Sequence, residues 1–157
     1  MKRLMAAVLA TVGAVALVVL PAGSASAHPS YHSIGVWGHM NITDADWPDG
    51  DDHNYVEFSG GASVSEATPT ASLRFEGCSD EVRVVLDVTI VHQPNQPWVT
   101  VNTRTRLYEG ASCATTDKER DVRRTYYVGS ERLQDSWTVW SGGNMGSTML
   151  NVSHSHG

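Results

Sequence analysis

Lysine is almost missing from this chain beyond its first residues: Lys118 is the only one after Arg3, against eight arginines. Across all 157 residues, 11 basic side chains face 17 acidic ones, for a formal net charge of −6. A phosphate backbone is bound by a basic surface, so non-specific nucleic-acid binding is not expected. After Leu20 no apolar run approaches the ~18 residues that a membrane helix needs, so no membrane span is expected. Enzyme motifs are missing as well. There is no G-x-S-x-G elbow, and no spacing of carboxylates nominates a glycosidase pair. Helical periodicity is nearly absent, and only two cysteines and two phenylalanines are present.

What is present begins with an export signal. Lys2 and Arg3 precede an apolar run from Leu4 to Leu20, and small residues end in Ala25-Ser26-Ala27. That order of charge, apolar stretch and A-x-A site reads as a secretory signal peptide over 1–27, leaving 28–157 as a single secreted domain. The arginine bias suits a GC-rich genome, and with the signal it suits an actinobacterium. An exported chain meets an oxidising compartment, so Cys78 and Cys113 are expected to form one disulfide.

The mature chain is built from short runs rich in Val, Thr, Tyr and Trp, separated by Gly, Pro, Asp and Ser clusters. Strands are expected near 33–42, 54–59, 70–76, 81–92, 98–108, 123–129, 133–140 and 147–153. About eight such strands argue for an all-β fold, an antiparallel β-sandwich of jelly-roll type. Residues 115–122 allow one helical turn, and the tail from Ser153 to Gly157 reads as frayed. One hairpin can be placed in register. Val82, Val84, Leu86, Val88 and Ile90 alternate on one face, and Val99, Val101, Thr103, Thr105 and Leu107 do the same beyond the turn Pro94-Asn95-Gln96-Pro97. A turn centred between Asn95 and Gln96 pairs residues whose numbers sum to 191. It sets Val84 against Leu107, Asp87 against Arg104, and Cys78 opposite Cys113, and a one-residue slip breaks all three.

Three groups of residues are candidates for a site. The stretch Asp44-Ala-Asp46-Trp-Pro-Asp49-Gly-Asp51-Asp52 packs five carboxylates into nine residues. Hard oxygen ligands suit Ca²⁺, but the spacing has one residue too many before Gly50 and no closing glutamate, so this is not an EF-hand. A calcium-holding end loop is the expectation, with Asp117, Glu119 and Asp121 as a second arm. Histidine is the second group: all seven follow the signal, and His28 becomes the mature N-terminus, offering an amine and an imidazole to Cu²⁺. That arrangement is similar to the histidine brace of copper-dependent polysaccharide monooxygenases and to the N-terminal site of periplasmic copper carriers. Pro29 lacks the amide that an N-terminal X-X-His chelate uses. The third group is aromatic: Trp47, Trp98 and Trp140 fall off the apolar face and offer planes on which a sugar ring stacks, whereas Trp137 falls with Val139 in the core.

The run Arg106-Leu-Tyr-Glu-Gly-Ala-Ser-Cys113, with the acidic stretch to Asp121, Cys78 upstream and the Asp44–Asp52 loop, resembles a family of small secreted actinobacterial β-sandwich proteins of unknown function. The resemblance implies fold and location, with no activity attached. Taken together, the residues describe a secreted, non-enzymatic binding or structural module stabilised by Ca²⁺. A copper protein using His28 is the alternative, and a carbohydrate-binding module or an inhibitor of extracellular hydrolases is a further one. Its partner would be an extracellular carbohydrate or protein.

Overall fold

In the computed structural model the described residues are 31–46 and 50–157, without the side chain of Asp46. The expected signal peptide, His28, Trp47 and Asp49 therefore lie outside them. Eight strands follow in order: β1 (Tyr31–Asp46), β2 (Gly50–Ser65), β3 (Thr70–Ser79), β4 (Val82–His92), β5 (Val99–Tyr108), β6 (Lys118–Val128), β7 (Leu133–Ser141) and β8 (Asn144–His156). They form two four-stranded sheets, ordered β2-β1-β8-β7 and β3-β4-β5-β6. Every pair is antiparallel. The fold is an all-β sandwich.

The β4–β5 hairpin has the expected register: Val84 faces Leu107, Leu86 faces Thr105, and Asp87 faces Arg104. Asn95 carries the turn at φ 60°, a backbone conformation asparagine tolerates. The disulfide Cys78–Cys113 is present, but Cys78 belongs to β3 and pairs with Arg83 in the ladder. The bridge thus ties β3 to the loop after β5. The opposite-charge pairs run diagonally rather than straight across. Arg106 bonds Asp87, and Arg104 reaches Asp121 on β6 at 2.8 Å.

Two expectations are corrected. Residues 115–122 make no helical turn, because β6 begins at Lys118 and pairs with β5 after a bulge at Leu107/Tyr108. The C-terminal tail is not frayed among its own strand: β8 runs to His156 along β1, and the Gly157 amide donates to the Tyr31 carbonyl. β1 and β2 are also longer than their apolar patterns suggest, each spanning 16 residues.

Alternation supplies the core. Ile34, Val36, Met40 and Ile42 of β1 meet Val84, Leu86, Val88 and Ile90 of β4, all buried. Burial of this kind contributes roughly 25 cal/mol per Å² of apolar surface. Gly38 interrupts the inward side chains of β1 for a steric reason. A Cβ there would clash with the Met149 carbonyl oxygen and stand 2.9 Å from the Phe58 ring, so glycine lets β8 pair closely beside β1 and Phe58 pack against it. Trp137 reaches across the sandwich, its indole Nε1–H donating to Thr105 Oγ1 at 2.9 Å. At the β7–β8 turn, Gly142 adopts φ 59°, where a side chain would be strained.

Candidate functional site

The topology sorts the candidate residues to two ends and one face. The β1–β2 hairpin, the β3–β4 turn and the loop around Cys113 share the acidic end. There Asp44 is buried, and its Oδ2 accepts the Glu81 backbone N–H at 2.9 Å, joining the two sheets. Asn144 Oδ1 accepts the Ala45 amide at 2.8 Å beside it. Asp51 and Asp52 are exposed, as is Asp117. Asp121 sits among Arg104, Lys118 and Arg123, and the hydrogen bond from Arg104 first of all holds its carboxyl below the usual carboxylate range. A Ca²⁺ ion placed there would compete with three cations for those oxygens. Of the two acidic arms, Asp44 thus faces inward and Asp121 is held by arginine, while Asp51, Asp52, Asp117 and Glu119 face solvent.

The opposite end collects histidines that sequence reasoning left scattered. His32 opens β1, His92 closes β4, and His154 and His156 close β8. Their ring centroids lie 5.0, 4.9 and 4.8 Å from that of His32. His32 is wholly buried and His92 is 6% exposed. His32 Nδ1 stands 2.7 Å from His154 Nε2, and His154 Nδ1 stands 2.9 Å from the Gly129 carbonyl. A carbonyl only accepts, so His154 Nδ1 carries a proton. In neutral His154, Nε2 then accepts, and His32 Nδ1 donates to it. That leaves the lone pair on His32 Nε2, a buried atom with no hydrogen-bond partner; His92 Nδ1 is buried and unpartnered too. A cleft lined by Glu66, His92, the Pro94–Pro97 turn and His156 opens beside them. The signal available in the sequence was the H-x-H of β8, since strand alternation puts both rings on one face.

Burial, and then the nearness of His154, His156 and His92, push His32 below the usual imidazole range. A histidine with a lower pKa folded than unfolded takes up more protons on unfolding. Its contribution is therefore complete above about pH 6.5 and is lost as the pH falls from there toward the folded pKa. The melting temperature in chelator should drop through that window, and His32→Gln should flatten the drop. Superimposable pH profiles for the two proteins would remove His32 as the cause.

The two outer faces differ in kind. On β3-β4-β5-β6 the rows Arg74–Asp87–Arg104–Arg123 and Glu76–Val85–Arg106–Asp121 are ionic, whereas Ser72–Thr89–Asn102–Thr125 and Thr70–Val91–Thr100–Tyr127, toward the histidine end, are neutral. On β2-β1-β8-β7 the rows are neutral. One runs Gln134–Asn151–Trp37–Ser59, the next Ser136–Met149–His39–Glu57, and the next Thr138–Ser147–Asn41–Tyr55. Glu57 is the only formal charge in those three rows. Trp37, His39, Tyr55, Glu57, Ser59 and Asn151 line a shallow recess of about 400 Å³. Tyr55 is 55% exposed and stands 4.9 Å from His39, centroid to centroid, and Arg132 lies over the Trp37 ring. Trp140, at 67% exposure, is on the same face toward the acidic end. Trp98 is half-buried at the histidine end, where it lines an open surface with Tyr127 and Gly129. Trp37 and Tyr55 were not singled out in the sequence, because only the register shows that they share a face.

No protein-family model matches the chain, and neither a curated protein nor a solved structure is significantly similar to it.

Proposed function

We propose that this chain is an exported, non-enzymatic binding module that takes neutral saccharides on the outer face of the β2-β1-β8-β7 sheet. The observation that carries this reading is the recess on that face, where the Trp37 and Tyr55 rings stand among amide and hydroxyl side chains, away from the ion-pair ladder of the other sheet. A pyranose ring presents an apolar face to stack on and a rim of hydroxyls to hydrogen-bond. Trp37 and Tyr55 supply the planes, and Asn151, Ser59, His39 and Glu57 supply donors and acceptors around them. Four residues of strand separate the Trp37 and Tyr55 levels, roughly 13 Å at strand rise, which suits several linked rings rather than one. Glu57 in the recess repels acidic sugars, and Arg132 holds one side of the Trp37 ring, so a neutral ring stacks on the open side.

Retention of the mature chain on insoluble cellulose and chitin tests the reading. Binding to at least one is expected, and the Trp37→Ala/Tyr55→Ala double variant should lose about tenfold in affinity, as the loss of stacked aromatics implies. Both positions are on the outer face, so circular dichroism should remain unchanged. Equal retention of the double variant and the wild type would overturn the assignment of this face.

A further inference from the structure

The histidine end does not take part in that reading, and it has the chemistry of a different ligand. We propose that His32, His92 and His156 form a three-imidazole site for a borderline divalent transition ion, Zn²⁺ or Cu²⁺, at the end of the sandwich opposite the acidic loops.

The chain Gly129 C=O, His154, His32 runs through 2.9 and 2.7 Å contacts and fixes which nitrogen of His32 keeps its lone pair. The proton goes to Nδ1, and Nε2 is left as a bare acceptor. A metal-binding histidine is typically arranged in this way, with its far N–H donated to a carbonyl or another acceptor, so that the ring is oriented and the ligand nitrogen made more basic. Here His154 relays that hydrogen bond from the Gly129 carbonyl and acts as a positioning residue rather than a ligand.

Next comes the cost of the arrangement without a ligand. A buried polar atom that finds no hydrogen bond is a penalty the fold usually avoids. Two such atoms from two different sheets stand together here: His32 Nε2 on β1 and His92 Nδ1 on β4. His32 and His92 have neighbouring rings, 5.0 Å apart at their centroids. Water-exposed lone pairs would need no explanation, but these two are shielded. Imidazole nitrogen is a borderline donor that suits Zn²⁺ and Cu²⁺ better than Ca²⁺ or Mg²⁺.

The third donor is His156. Its ring lies 4.8 Å from that of His32, edge to face, and it borders the cleft that Glu66 and His92 also line. Among the described residues no three candidate side chains already stand in coordination geometry. His156 is exposed, so rotation of its side chain completes the set without disturbing the strands. Glu66 is across the same cleft as an oxygen donor for a fourth position, and the opening gives the ion its path in. Because His32 and His156 come from one sheet and His92 from the other, the bound ion would clasp the sandwich at an end where it has no disulfide.

The site differs from the N-terminal copper arrangement expected from His28, and the experiment must separate the two. Isothermal titration of the mature chain with Zn²⁺ and, separately, Cu²⁺ should give one site per chain, retained in His28→Ala. His156→Ala should weaken it at least tenfold while leaving the metal-free protein folded, because β8 pairs with β1 there through its backbone and His156 is exposed. His92→Ala should weaken it as much, and imidazole ¹⁵N shifts of His32 and His92 should move on Zn²⁺ addition in the wild type. Failure of the wild type to bind either ion, or undiminished binding by His156→Ala and His92→Ala, would overturn the proposal. Loss of binding in His28→Ala alone would transfer the metal to the N-terminus and overturn it equally.

Discussion

Replacing Trp137 with alanine should destabilise the fold by about 3–5 kcal/mol, the range for removing a large aromatic from a packed core. Trp137 is buried on β7 of one sheet, and its Nε1–H donates to Thr105 Oγ1 on β5 of the other. Thr105 is itself wholly buried, so the substitution leaves a hydroxyl without its donor as well as a cavity. The two costs fall at the place where the sheets meet beneath the neutral face. Trp137→Phe should recover much of the packing but not the hydrogen bond, and so lie between the two. Urea melts of the three proteins measure this directly. A loss under about 1 kcal/mol in Trp137→Ala would mean that the sheets close without that side chain.

The disulfide comes next in size. Cys78 and Cys113 are 35 residues apart, and opening a loop of that length should cost about 3–4 kcal/mol by the chain-entropy argument. The paired variant Cys78→Ala/Cys113→Ala should therefore melt well below the wild type. Because that entropy belongs to the unfolded chain, the loss is global, and the Cys113 loop, which the bridge fastens to β3 beside the Asp80–Glu81 turn, should in addition open more easily. Hydrogen exchange should show the amides of 109–118 opening first and the slowest amides of the β1–β8 ladder losing protection by the global amount. Unchanged protection of that ladder would show instead that the bridge acts on its own end alone.

How much of this was legible in the sequence depends on the face each strand shows. β4 and β5 could be paired residue by residue, because both alternate strictly and a proline-bounded turn fixes their register. β1 and β2 were cut short because their outer face holds glycine, serine and asparagine in place of the polar–apolar contrast that marks a strand. β6 begins with Lys118, Glu119, Arg120 and Asp121 and resembles a solvated loop; Asp121 is instead held by Arg104 of β5 across the ladder. The histidine end was hidden for a topological reason. His32 and His154 lie 122 residues apart and touch only because β8 returns to lie beside β1. The same return aligns Asn151 with Trp37, and the β1–β2 hairpin aligns His39 with Glu57. Composition alone could nominate tryptophans but not choose between Trp37 and Trp98.

The central claim is that the neutral face is where the ligand binds. Amide and indole NMR shifts of the mature chain, followed while soluble cello- and chito-oligosaccharides are added, test it most directly. Saturable shifts clustered at Trp37, His39, Tyr55 and Asn151, with the ion-pair ladder of the other sheet unmoved, are the expected result. No saturable shift with either sugar series, or shifts centred on Arg104 and Asp121, would contradict it.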